Sequence, residues 1–255
     1  MDAILAARQM PAAGVCRLAV LKLCFIALAA CALLSACATQ APSRPGATST
    51  APAEFPTEYY RQALAHGQAV YRIDPERSLL VIEVHRGGSL ARLGHDHVLA
   101  SHDLRGLIAP QTGRADLYFA LDRLVVDEPE LRTQAKLEGN PSEEDIAGTR
   151  RNMLNGLEAE QYPYALVSVN KLDATGSDTR LKVAITVHGT TRTREVASVV
   201  EIGTETIAVS GSLSLDQTEF GVKPLSILGG AVQVEDRVDL RFRILAPRLL
   251  SASDA

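Results

Sequence analysis

The feature that most constrains this chain is a two-residue apolar alternation that returns again and again between positions 80 and 244. Leu181, Val183, Ile185 and Val187 alternate with Lys182, Ala184, Thr186 and His188. Successive side chains of a strand point to opposite faces, so a segment of this kind buries one face and wets the other. The pattern recurs in Leu80, Ile82 and Val84, in Leu117, Phe119 and Leu121, in Leu213 and Leu215, and in Val238, Leu240, Phe242 and Ile244. Further strands are expected at Val98–Ile108, at Tyr164–Leu172 and near Glu195–Ile202 and Thr206–Val209. About eight short strands of this kind imply an all-β sandwich or barrel.

One segment interrupts the alternation. Residues 128–156 are polar, with Pro141-Ser142-Glu143-Glu144 resembling a helix start and Ile146, Leu154 and Leu157 forming a thin apolar stripe. One or two short helices laid across a barrel end are the expectation. No internal repeat is visible, so residues 69–246 read as one β domain and residues 247–255 as a disordered tail.

The four cysteines lie at positions 16, 24, 31 and 37, ahead of that domain, which therefore has no disulfide framework. The run Leu23–Leu34 has the length of a signal-peptide apolar core, with Arg17 and Lys22 as its positive flank. Leu34-Ser35-Ala36-Cys37 resembles a bacterial lipobox. Residues 1–36 are thus expected to be a lipoprotein signal peptide, Cys37 the lipidated residue, and residues 37–68 a flexible tether with a short helix between Glu58 and Gly67. Several acyl chains, at about 0.8 kcal/mol per buried CH₂, hold such a domain at a membrane. The resemblance to lipoproteins implies, with Ala38 after the cysteine, sorting to the outer membrane, on the periplasmic face of the cell envelope.

The formal net charge of −4 argues against nucleic-acid binding, which needs clustered Lys and Arg. Enzyme signatures are missing. Ser168-Val-Asn-Lys171 matches S-x-x-K in letters but lies in a strand pattern, and Gly-x-Ser-x-Gly, P-loop and His-Glu-x-x-His motifs are absent. The chain reads as a non-enzyme with no required cofactor. Of its histidines, His66, His85 and His188 read as solvated. His95, His97 and His102 form a cluster whose His-x-His spacing suits a metal or haem, making a periplasmic metal- or haem-binding protein the alternative function. In an unbroken strand over 98–108, His102 points inward with Ala100 and Leu104 and is placed to meet the polar head of an amphiphile.

Five segments in order resemble the YceI-like lipid/polyisoprenoid-binding family. They are Tyr71-Arg72-Ile73-Asp74-Pro75-Glu76-Arg77-Ser78; Leu154-Asn155-Gly156-Leu157-Glu158 leading into Gln161-Tyr162-Pro163-Tyr164-Ala165; Ile185 to Arg192; Phe220-Gly221-Val222; and Val234 to Val238. Gly94-His95-Asp96-His97 departs from the family's common pattern. The resemblance implies a single antiparallel lipocalin-like β-barrel that holds an isoprenoid lipid, quinone or other long-chain amphiphile in its lumen. On the alternation, Ile82, Val84, Ala100, His102, Leu104, Ile108, Leu117, Phe119, Val183, Ile185, Leu240 and Phe242 are the lumen-facing set, with Gly106 on the same face. A barrel of about this size is either filled by side chains or holds one small ligand. With 5 Phe, 6 Tyr and no Trp in 255 residues, few large rings remain to fill it, which favours an open lumen over a structural barrel with a filled core. Edge-to-edge pairing into a homodimer is left open.

Overall fold

A computed structural model describes residues 51–170 and 176–250. The expected signal peptide, the Cys37 lipidation site and the first part of the tether lie outside the described residues. The alternating segments join into one antiparallel sheet of twelve strands. These are β1 (Tyr71–Arg72), β2 (Leu79–Gly87), β3 (His97–Ser101), β4 (Arg105–Ala109), β5 (Arg114–Ala120), β6 (Val125–Val126), β7 (Tyr164–Asn170), β8 (Gly176–Val187), β9 (Thr190–Ile202), β10 (Thr206–Asp216), β11 (Ser226–Ile227) and β12 (Val232–Pro247). The sheet order is β1-β4-β5-β7-β8-β9-β10-β12-β2-β3-β6, with β11 paired to β12. With β3 and β4 taken as one bent strand, eight long strands remain, as the alternation implies.

The sheet curls into a lipocalin-like barrel that is closed by the chain just after its first helix. Tyr71 pairs with Ile108 of β4 and bridges Arg248, while the Asp74 amide donates to the Leu245 carbonyl at 2.8 Å. The Leu249 amide donates to Val70 at 2.8 Å, so residues 247–249 complete the barrel instead of beginning a disordered tail. At the opposite end, β8 turns into β9 through His188 and Gly189, both with positive φ (51° and 68°). A two-residue loop of this type matches the right-handed twist of the strands it joins. His188 is not solvated there: its ring meets Tyr162 at 5.0 Å and its Nδ1 lies 3.3 Å from the Phe220 carbonyl.

Among the described residues, three α-helices cover the sheet from outside and at one end. Helix α1 (Thr57–Ala65) ends where Gly67 adopts φ +75°, with the Gly67 and Gln68 amides donating to Leu64 and Ala63. This stretch is docked and is not a free tether, because Tyr60 and Ala63 pack with Val70, Leu107 and Ala109 on the outer face of the sheet. Helix α2 (Pro129–Gln134) places Leu131 over Val81, Val98 and Ala100, a second small outer cluster. Helix α3 (Glu143–Gly156) starts from the capping box of Ser142 and Asp145 and lies across the barrel end, packing Met153 and Leu154 against the main core.

The expected strand over 98–108 is two strands. The corner at residues 102–104 shifts the parity, so Leu99 faces inward before it and Leu104 and Ile108 after it. Asp103 holds the corner, accepting from Arg105 at 2.8 Å and from Arg123 at 3.0 Å.

Candidate functional site

The inward faces of the strands do not meet. They enclose a cavity of about 690 Å³ walled mainly by Val, Leu, Ile and Phe, within the roughly 300–1,000 Å³ of small-molecule sites. The lining includes ten of the twelve sequence-assigned lumen residues: Ile82, Val84, Leu104, Ile108, Leu117, Phe119, Val183, Ile185, Leu240 and Phe242. Ala100 and His102 are elsewhere, because the parity shift turns them outward. Ala100 packs under Leu131, and His102 Nε2 lies 2.7 Å from the Glu128 carboxylate, so the inward reading of both is corrected. Gly106 serves strand pairing, since a Cβ there collides with the Asp116 carbonyl. Of the described Phe and Tyr residues, only Phe119, Phe220 and Phe242 line the space. The scarcity of rings leaves a volume that the aliphatic side chains do not fill.

One end is plugged by Tyr71, Ile73, Ile207 and Ala246, all at most 3% exposed. The Tyr71 hydroxyl donates to the Gly203 carbonyl at 2.9 Å across that end. The cavity opens at the other end, between helix α3, the β2–β3 loop and the 220–234 segment. Its rim carries large apolar side chains in water: Leu93 is 59% exposed, Leu225 44%, Ile227 50% and the adjacent Leu228 69%.

Polar groups at this mouth are held by a buried ionic cluster. Asp127, at φ +57°, accepts from the Val98 amide at 3.0 Å, from Arg132 Nη1 at 2.6 Å and from His97 Nδ1 at 2.6 Å. Burial pushes the Asp127 carboxyl up, but the hydrogen bonds from His97, Val98 and Arg132 outweigh it and leave it below its ordinary value. Arg132 also donates to the Asp96 carbonyl at 2.8 Å and to the Glu138 and Gly139 carbonyls at 3.0 and 3.1 Å. It thereby ties the His-rich loop to the segment before α3. The other ring nitrogen of His97, Nε2, faces Thr149 Oγ1 of α3 at 3.2 Å, and both residues line the cavity.

Residues 71–246 match the YceI-like domain. The chain belongs to the YceI-like family. A polyisoprenoid binding domain from Saccharophagus degradans, implicated in plant cell wall breakdown, shares the fold with a TM-score of 0.50 and 17% identity over 69% of this chain and 97% of its own. BcnA from Burkholderia cenocepacia aligns with a TM-score of 0.44 and 15% identity over 68% of this chain and 98% of its own. A YCEI protein from Campylobacter jejuni gives 0.37 and 14% over 57% and 81%. No curated protein matches the chain.

In this YceI-like barrel the three clustered histidines do not converge. His95 and His97 have ring centroids 6.2 Å apart, while His102 is engaged by Glu128 at the corner. Among the described residues, no group of three or more His, Cys, Asp or Glu side chains is placed to hold a metal. The residues that sequence reading missed are Asp127, Arg132 and Thr149. Asp127 lies 30 positions from His97 and Thr149 lies 52, separations over which no local motif operates.

Proposed function

We propose that this YceI-like protein binds and carries a long-chain, isoprenoid-type amphiphile in its barrel, without chemistry of its own. The observation that carries this reading is the single-ended apolar cavity of about 690 Å³. Each CH₂ moved from water into such a space is worth about 0.8 kcal/mol, so a long tail supplies affinity without polar contacts. The family match and the likeness to a polyisoprenoid binding domain support the same ligand class. The exposed Leu93, Leu225, Ile227 and Leu228 suit the mouth to a lipid surface, from which the ligand enters and to which it returns. The proposal includes lipidation at Cys37 and a place on the periplasmic face of the outer membrane, which keeps the mouth near its lipid source.

The test is mass spectrometry of an organic extract from protein purified without detergent, with metal analysis alongside. A stoichiometric long-chain lipid is the expected result. Stoichiometric metal without lipid, lost in a His95→Ala/His97→Ala variant, overturns the reading.

A further inference from the structure

The hydrogen bonds at the mouth specify the tautomer of a neutral His97 ring. Asp127 is an ionised acceptor already holding Arg132 and the Val98 amide, so the proton between it and His97 sits on Nδ1. In the neutral ring Nε2 is then an acceptor, and the Thr149 hydroxyl donates to it across a long 3.2 Å. Both groups line the cavity at the point where its aliphatic wall gives way to the polar side chains of the mouth, Asn152 and Gln233 among them. A hydroxyl placed between them donates to Nε2 and accepts from Thr149, which satisfies both partners at once. A carbonyl uses only the Thr149 donor.

Charge at the mouth argues in the same direction. Arg132 is committed to Asp127 and three backbone carbonyls, and Arg86 donates to the Gly94 carbonyl and lies 3.6 Å from Asp96. Glu144 and Asp145 line the same opening and offset Arg151 and Lys223. A phosphate or carboxylate head needs convergent cations. We propose that His97 and Thr149 form a hydroxyl-binding subsite selecting an uncharged long-chain alcohol whose tail occupies the cavity, an inference that rests on the lipid-carrying reading above.

The experiment is displacement of the fluorescent probe N-phenyl-1-naphthylamine from the delipidated full chain by three C20 compounds: geranylgeraniol, geranylgeranyl phosphate and the hydrocarbon phytane. Two hydrogen bonds of ordinary net strength predict that the alcohol binds about tenfold more tightly than the hydrocarbon. In Thr149→Val, which leaves the Asp127 cluster untouched, that ratio falls toward one, and Thr149→Ser restores it. Equal affinity of alcohol and hydrocarbon in the wild type, an unchanged ratio in Thr149→Val, or tightest binding of the phosphate overturns the subsite and leaves the lipid reading standing. Failure of all three compounds to displace the probe overturns the lipid reading itself.

Discussion

The Tyr60 hydroxyl donates a 2.7 Å hydrogen bond to Asp116, joining helix α1 to the outer face of β5 across 56 residues of sequence. Asp116 also accepts from Arg114 at 2.7 Å and from the Ser168 hydroxyl of β7, and the Arg114 guanidinium lies 4.5 Å above the Tyr59 ring. Burial first, then the Asp116 hydrogen bond, raises the Tyr60 phenol so far that it stays protonated as a donor at any working pH. Tyr60→Phe removes one donor but leaves Asp116 two others. The expected cost is about 1 to 2 kcal/mol, a fall in Tm of roughly 2 to 8 °C, read by thermal melting, with cleavage near residues 51–56 becoming faster in limited proteolysis.

Asp127 gives the fold a specific acid sensitivity. Its folded-state pKa is depressed, so the stability it contributes is complete above the unfolded value near 3.9 and is lost as pH falls through the folded value. The wild type is therefore expected to lose stability steeply below about pH 4. Asp127→Asn removes that component, flattening the acid limb of a plot of urea midpoint against pH. At neutral pH the same change strands Arg132, which is only 5% exposed, as a buried charge, at a cost of about 3 to 5 kcal/mol. An acid limb as steep in Asp127→Asn as in the wild type assigns the sensitivity to other carboxylates.

The contrast between the barrel and its mouth shows which information is local. Leu181, Val183, Ile185 and Val187 announce their own face, because strand parity is a property of neighbours in sequence. Ser142 likewise announces the start of α3 through its own first turn. The corner at residues 102–104 is different. It depends on Arg123 reaching Asp103 from 20 residues away, and an alternation read straight through it puts Ala100 and His102 on the wrong face. The polar mouth is less legible still, since His97 acquires its partners from the end of β6 and the middle of α3. The docking of α1 depends on Asp116, whose position in an alternating strand marks it only as solvated until Tyr60 covers it.

Gly189 is required by both backbone and packing. It occupies φ +68° in the β8–β9 turn, and a Cβ there falls 2.6 Å from the Tyr162 ring. Gly189→Ala therefore adds left-handed strain of about 1 to 2 kcal/mol and displaces Tyr162 from His188. The urea midpoint is expected to fall with the m-value unchanged. A variant as stable as the wild type overturns both the backbone and the packing requirement.

Delivery to a lipid surface makes the rim separable from the cavity. Ile227 and Leu228 are exposed at the mouth and make no part of the buried core. Leu228→Asp is expected to leave the melt and the affinity for geranylgeraniol unchanged, since Leu228, unlike Ile227, does not line the cavity. Each exposed aliphatic side chain that enters a bilayer contributes on the order of 1.5 kcal/mol or more, so transfer of bound alcohol to phosphatidylglycerol vesicles slows roughly tenfold or more. Unchanged transfer assigns exchange to a route through water.

The cavity itself is tested by filling it. Ile185 lies on β8, is 8% exposed and lines the lumen. Small-to-large changes are costly in a close-packed core, typically about 1 to 3 kcal/mol, because neighbours must move. Beside an open cavity the added ring of Ile185→Phe has space to enter, so a cooperative melt near the wild-type temperature is expected. The volume it takes is volume the tail needs, and the lipid retained per chain in a detergent-free preparation should fall. A strongly destabilised variant, or one that retains the wild-type amount of lipid, shows that residue 185 packs against protein and that the tail lies elsewhere. Val183→Asp makes a poor substitute, since a carboxylate among Leu181, Ile185 and Phe242 abolishes folding whether or not a lipid binds.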